Sequence, residues 1–241
     1  MSRYNWNWSI LLTEPYFGWL LEGIRVTIGL ALSAWAIALT LGSLIGVART
    51  LPIAPLRWIA TAYVELFRNI PLLVQMFLWF FVLPEVLPQP LGTWLKRGLP
   101  YPEFYTAMIC LGFYYASRVA EQVRSGIGSV PRGLSLAARA SGLSLVQTYR
   151  HILLPLGYRI IAPSLTSDFL SIFKGTSIAL TIGLLEITAQ SRQIESYTFQ
   201  SYEAFTAATA LYLTIGISLL LLIHRLESHT RVPGWIARFD A

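Results

Sequence analysis

The sequence predicts an all-α integral membrane protein of five transmembrane helices, with the N-terminus outside and the C-terminus inside. Three observations predict it. Of 241 residues, 55% are apolar and only 12% charged, with a mean hydropathy of +0.57, too little polar surface to cover a soluble globule of this size. The apolar residues gather into runs long enough for a helix to cross a hydrocarbon layer of about 30 Å. Basic residues collect between two of these runs: Arg124, Arg132, Arg139, Arg150 and Arg159 share a segment without one Asp or Glu, which marks it as cytoplasmic.

The elements follow in order. Residues 1–19 carry Trp6, Trp8, Tyr16, Phe17 and Trp19 among polar neighbours, which suits an interfacial segment with its rings at headgroup level. The basic start, short apolar run and cleavage site of a secretory signal are not seen there. The first span covers 20–47, uncharged from Val26 to Val47, and the basic, proline-containing turn from Arg49 to Arg57 ends it. The second covers 58–83, with a break expected near Asn69 because Pro71 removes a backbone donor and disfavours helix before it. Pro84, Pro88, Pro90, Pro100 and Pro102 then predict an irregular outer loop of mixed charge, Glu85 and Glu103 against Lys96 and Arg97. The third span, 104–123, carries Arg118 and Glu121 near its inner end. The fourth, 160–187, is interrupted at Lys174-Gly175-Thr176-Ser177. Residues 186–203 form a polar outer loop with acid in excess. The fifth span, 205–223, completes a membrane domain over 20–228, and 229–241, with Arg231 and Arg238, form a cytoplasmic tail.

The loop 124–159 has a helical pattern of its own. Ser144 can cap a helix beginning at Leu145, with Gln147 completing a capping box, and Pro155 is expected to stop that helix. Ser135 is a cap for a first short helix ending near Gly142. Two short helices joined at a glycine elbow result. The small residues Ala137, Ala138, Ala140 and Gly142 let a partner's surface approach the backbone, so the elbow reads as a docking site.

Several classes are excluded. A net charge of +6 and a pI near 9.6 raise nucleic acid as a ligand, but the arginines lie between apolar runs without the aromatic or Gly-rich interleaving of RNA-binding segments. The single Cys110 sits in an apolar run, and the three histidines share no metal-ligand spacing. No Gly-rich loop ends in Gly-Lys-Ser/Thr, so ATP is not hydrolysed on this chain. No nucleophile, base and metal constellation can be assembled, and no repeat of 20–50 residues suggests a fused-half transporter.

The loop pattern Ala137-Ala138, three residues, Gly142, nine residues, Ile152, one residue, Leu154-Pro155 resembles the cytoplasmic signature of membrane subunits in binding-protein-dependent ABC importers. Phe67-Arg68-Asn69-Ile70-Pro71-Leu72-Leu73-Val74-Gln75, and Lys174-Gly175-Thr176-Ser177 followed by Ile182-Gly183-Leu184-Leu185-Glu186, resemble the polar amino acid branch. The runs Tyr63 to Asn69 and Ala116 to Arg124 look most like the glutamate/aspartate permease subunits. The family signature usually opens with Glu where this chain has Leu136, so any bond from that glutamate to a partner is absent here. The resemblance implies a type I ABC importer fold in the bacterial inner membrane and a second permease subunit, identical or homologous. It also implies a pair of ATP-binding subunits holding ATP and Mg, and a periplasmic amino acid binding protein. Coupling to the ATPase would fall to Ala137, Ala138, Gly142, Ile152, Leu154 and Pro155.

Substrate-pathway candidates are Lys174, Arg118, Asn69, Gln75 and Ser177, each with a plainer alternative. Lys174 could meet a carboxylate at a helix break, or snorkel, or pair with Glu121 or Asp168. Arg118 could grip a side-chain carboxylate in bidentate fashion, or pair with Glu121 on its own helix. Glu65 and Arg68 are spaced to pair as scaffold. Asn69 and Gln75 could line a pathway, or satisfy backbone groups freed by Pro71. Ser177, Thr176 and Thr181 could bond back into their own helix. An ion-coupled secondary transporter using Lys174, Asp168 or Glu121 is the competing class; it predicts uptake without ATP.

Overall fold

A computed structural model describes residues 4–228. Among these residues the secondary structure is helical throughout: α1 (Tyr16–Ala48), α2 (Ala54–Asn69), α3 (Leu72–Val86), α4 (Gln89–Thr93), α5 (Pro102–Gly128), α6 (Arg132–Ala140), α7 (Leu145–Ile182), α8 (Ile187–Thr198) and α9 (Ser201–Ser228). Arg49, Arg57, Arg124 and the arginines of the α5–α7 connection lie towards one end, called the basic end below.

α1 and α5 form the central pair. Lipid is as apolar as a leucine side chain, so two apolar helices attract each other in it chiefly through close contact. Gly42 and Gly46 permit that contact: a Cβ on either would stand 2.7 Å from the carbonyl oxygen of Ala116 or Ala120. Ala31, Ala34 and Ala38 continue the seam against Ala107, Cys110 and Leu111. α7 joins through Ile172 and Phe173, and through a second cluster of Val119, Val123, Ile127 and Ile161 nearer the basic end. Gly126 again marks a close approach, since a Cβ there would strike Ile161 and the carbonyl of Gly157.

By length and composition, α1 and the Ser201–Arg225 part of α9 can each cross a membrane. Four crossings result if the bent pairs α2–α3 and α7–α8 each count as one. α5 has the length, with 27 residues, but Arg118, Glu121 and Arg124 in its second half lower its apolar content.

The break expected near Asn69 is a turn of 103° between α2 and α3. Other local expectations are corrected. Residues 84–103 are largely helical: α4 runs on as a π turn over Trp94–Gly98, Pro90 and Pro102 stand in first turns, where a missing N–H leaves no bond unmade, and Pro84 follows the π turn Leu78–Val82 of α3. Residues 186–203 are also helical, forming α8 and the start of α9. Glu186 caps α8 by accepting from Ala189 N at 2.8 Å and from Tyr212 Oη at 2.5 Å, and Gln190, Ser191 and Ile194 are buried. Polar residues that pack on protein leave the same composition as a solvated loop. Within 160–187 the α-helix gives way after Gly175, at the expected interruption, to a 3-10 stretch over Thr176–Ile182, and Gly183 then turns the chain at φ +91°.

In the 124–159 segment Ser135 is no cap. α6 begins at Arg132 behind Pro131, and Ser135 Oγ donates to the Arg132 carbonyl at 2.9 Å. Pro155 does not stop a helix either. The turn Tyr149–Leu153 widens to π geometry and α7 continues through Pro155 and Pro163. The extra residue in that turn accommodates the missing donor and the ring. At the far end, Tyr4 Oη and Asn7 N donate to Glu203, tying the N-terminal segment to α9 while Trp6 and Trp8 stay half exposed. The tail 229–241 lies outside the described residues.

Candidate functional site

The elbow between α6 and α7 is closed by two capping devices. Leu143 N donates to the Ala138 carbonyl at 3.1 Å and Gly142 N to that of Arg139 at 3.0 Å, a Schellman closure that places Gly142 at φ +86°. Beyond it, Ser144 Oγ accepts from Gln147 N at 3.3 Å and Gln147 Oε1 accepts from Ser144 N at 2.8 Å, the capping box read from the sequence. Helix ends sealed this way leave few orphan groups to draw the chain into other shapes. A Cβ on Gly142 would meet nothing within 4 Å. That side is open, and Leu136 and Val146 are exposed beside it, at 64% and 74%.

Ala137 is exposed and Ala138 is buried beneath it; Ile152 and Leu154 are half-buried, and Pro155 is exposed. Leu154 packs on the Val119–Ile127 cluster. The first part of the motif is therefore presented outward, and the second fixes it to α5. Tyr149 Oη donates to the Thr50 carbonyl at 3.0 Å, which pins the same segment to the α1–α2 turn.

Charges at the basic end pair both between helices and, for Glu121 with Arg124, within α5. Glu121 bonds Arg49 and Arg124 and lies 3.9 Å from Arg68. Neither expected pair within one helix forms. Arg68 turns to Glu121 while Glu65 accepts from Asn69 Nδ2 at 3.2 Å, and Arg118 donates from Nε to Asp168 at 2.9 Å. Pairs at i, i+3 contribute only about 0.2–0.5 kcal/mol, so converging helices readily supply better partners.

Arg118 sits beside a buried carboxylate. Asp168 is 2% exposed, whereas the Arg118 side chain is 46% exposed and its guanidinium lies 5.8 Å over the Tyr115 ring. Gln122 Nε2 donates to the other Asp168 oxygen. Lys174, which neither Glu121 nor Asp168 engages, has no ion-pair partner among the described residues; it is exposed and lines a groove of about 670 Å³ with Phe173, Ser177, Thr209 and Tyr212.

Gln75, Asn69 and Ser177 make local hydrogen bonds, and Ser177 also lines the Lys174 groove. Gln75 Nε2 donates to the carbonyls of Phe67 and Ile70 at 2.8 and 2.9 Å, and Asn69 Nδ2 to that of Glu65 at 2.8 Å, so both repair the Pro71 break. Ser177 Oγ donates to the Lys174 carbonyl at 2.9 Å, and Thr176 and Thr181 bond back likewise.

Ser164, Ser167 and Ser171 escaped the sequence argument. With Lys174 they fall at steps of three and four on one face of α7, exposed at Ser164, Ser167 and Lys174 and half-buried at Ser171. The helical spacing of these hydroxyls was the available signal.

Residues 38–232 match the model of the family described as binding-protein-dependent transport system inner membrane component. The chain belongs to that family. The match reaches from the second half of α1 to the end of α9, so the capped elbow and the polar face of α7 both lie within the family domain. The subunit is 44% identical over 238 residues to the glutamate/aspartate import permease protein GltJ of Escherichia coli (strain K12), covering 95% of this chain and 97% of that one. It is 33% identical to the probable glutamine ABC transporter permease protein GlnM of Bacillus subtilis (strain 168), at 92% and 96% coverage. Identity to the glutamate/aspartate import permease protein GltK of E. coli O6:H1 is 31%, at 94% and 99%. Among solved structures, a crystal structure of an amino acid ABC transporter with histidines matches with a TM-score of 0.79 and 25% identity, over 94% of this chain and all of that one. The inward-facing MetNI methionine ABC transporter, at 19% identity and a TM-score of 0.76, shares the fold. The resemblance drawn from the loop signature is borne out, and the subunit is a membrane component of an ABC importer.

Proposed function

We propose that the subunit forms one half of the translocation pathway of an ATP-driven importer for acidic amino acids, glutamate and aspartate among them. One observation carries the reading. Arg118 and Lys174 expose their cationic groups from helices that cross the membrane in this assignment, and a charge at mid-membrane costs about 2.5–3.5 kcal/mol even on the mildest scale. Their face is therefore turned from lipid towards a second permease subunit and a water-filled path, with the α7 hydroxyls beside them. Two cations in such a path favour anionic cargo. The relatives named glutamate/aspartate import permease proteins, GltJ and GltK, support the same class.

In this reading α1, the α2–α3 pair, α5, α7 and α9 are the five crossings. The N-terminus lies outside, and the basic end and C-terminus lie in the cytoplasm of a cell bounded by that inner membrane. A pair of separate ATP-binding subunits holds ATP and Mg and docks on the elbow at Ala137–Gly142, and a periplasmic binding protein delivers cargo. Nothing observed favours the ion-coupled alternative.

The test is uptake of labelled glutamate into liposomes holding the complete complex. Lys174→Met or Arg118→Met should lower acidic amino acid uptake at least tenfold with assembly intact. Uptake undiminished without ATP, or by both variants, would sink the proposal.

A further inference from the structure

Resting on that pathway reading, we propose that Asp168 is a positioning residue: it aims Arg118 at a ligand carboxylate and tempers how tightly that carboxylate is held. Asp168 is buried in the α5–α7 seam with one oxygen on Arg118 Nε and the other on Gln122 Nε2. The Arg118 Cζ lies 5.8 Å from the centroid of the Tyr115 ring. A guanidinium held at Nε has its far edge left, the pair of Nη groups. Those groups make no hydrogen bond among the described residues, and the side chain is 46% exposed. Two parallel N–H donors on one edge are the geometry that takes a carboxylate in bidentate fashion.

The charge arrangement matters as much as the aim. Asp168 neutralises Arg118, so the edge offers directed donors with little net charge behind them. A transport path needs binding strong enough to admit cargo and weak enough to release it. An uncompensated arginine would hold an acidic amino acid; a compensated one can pass it on. Lys174, without a partner among the described residues, leaves a second cation farther along α7, six residues or about 9 Å from Asp168 at 1.5 Å per residue.

The experiment uses the complete complex, with Asp168→Asn as the main variant. Asparagine keeps an acceptor for Nε and nearly the same shape but removes the charge. Assembly should match wild type. Affinity for labelled aspartate, measured on the complex without binding protein, should rise roughly tenfold, the effect of one unit charge a few ångströms beyond the ligand in a partly solvated site. Uptake turnover at saturating binding protein should fall several-fold. Adding Arg118→Lys, which keeps the charge but loses the fork, should abolish the gain in affinity. Asp168→Asn complexes that assemble, bind and turn over as wild type would overturn the proposal. So would reduced assembly in both Asp168→Asn and Asp168→Glu when the surviving complexes bind with wild-type affinity, because that is the behaviour of a plain inter-helix tie. A wild-type complex that takes up no acidic amino acid would overturn the pathway reading and this proposal together, whereas wild-type uptake with an unaltered Asp168→Asn overturns this one alone.

Discussion

Gly142 offers a perturbation whose intrinsic cost can be matched elsewhere in the same chain. At φ +86° a side chain pays about 1–2 kcal/mol for the left-handed backbone. A Cβ would touch nothing within 4 Å, so no steric charge within the subunit is added. Gly183 has the same two properties at the opposite end of α7, with φ +91° and open space around its Cβ position. Gly142→Leu and Gly183→Leu should therefore carry similar strain, a small part of the 5–15 kcal/mol typical of a folded domain, and both should insert into the membrane. They differ in what lies outside. The side chain added by Gly142→Leu would stand on the face assigned to the ATP-binding subunits and should cut uptake per ATP hydrolysed at least tenfold, while the change at Gly183 leaves that ratio within about twofold, a gap of roughly 1 kcal/mol in coupling. The assay is paired measurement of uptake and phosphate release in liposomes holding the whole complex. Equal ratios for the two variants would remove the elbow from the coupling path.

Three other outcomes follow from the packing. Ser144→Ala should cost about 1 kcal/mol at the start of α7, seen as roughly fivefold faster hydrogen exchange at Gln147, whose amide loses its acceptor; an unchanged rate would mean that the cap contributes nothing. Gly46→Leu forces side-chain atoms onto the Ala120 carbonyl and Val123 and should lower the yield of folded subunit severely, beyond the 1–3 kcal/mol of ordinary overpacking. Glu121→Gln leaves Arg49, 9% exposed, without its carboxylate and should lower the thermal midpoint of the detergent-solubilised subunit, with a cost of about 2–3 kcal/mol for a largely buried charge. Glu65→Gln, whose carboxylate meets only Asn69 among the described residues, should leave that midpoint unchanged.

What could be read from the chain depended on how local each signal is. The capping box of Ser144 and Gln147 involves neighbours in sequence and was legible in full, as were the turn at Gly142 and the break at Pro71. Pro155 misled because the rule that proline ends a helix assumes an ordinary turn before it, and the π turn at Tyr149–Leu153 removes that assumption. Residues 186–203 look like a solvated loop until the distant partners of Glu186 and Glu203 are known: Tyr212 on α9 for the first, Tyr4 and Asn7 of the N-terminal segment for the second. The same holds for Arg118, whose adjacent Glu121 is the obvious match on paper while the distant Asp168 is the one in contact. The hydroxyl face of α7 is readable from spacing alone, though the charge of Lys174 is the stronger signal in the same stretch.

The continuous course of α7 from the elbow to Gly175 has a mechanical consequence. One rod joins the capped elbow at its foot to Lys174 and the hydroxyl face farther along, with the Tyr149–Thr50 contact close to the foot. At 1.5 Å per residue the stretch from Leu145 to Gly175 is roughly 46 Å long, and a tilt of about 5° at the foot would swing the other end by roughly 4 Å. A small displacement of the elbow thus becomes, by leverage alone, a movement of several ångströms at the far end of the helix.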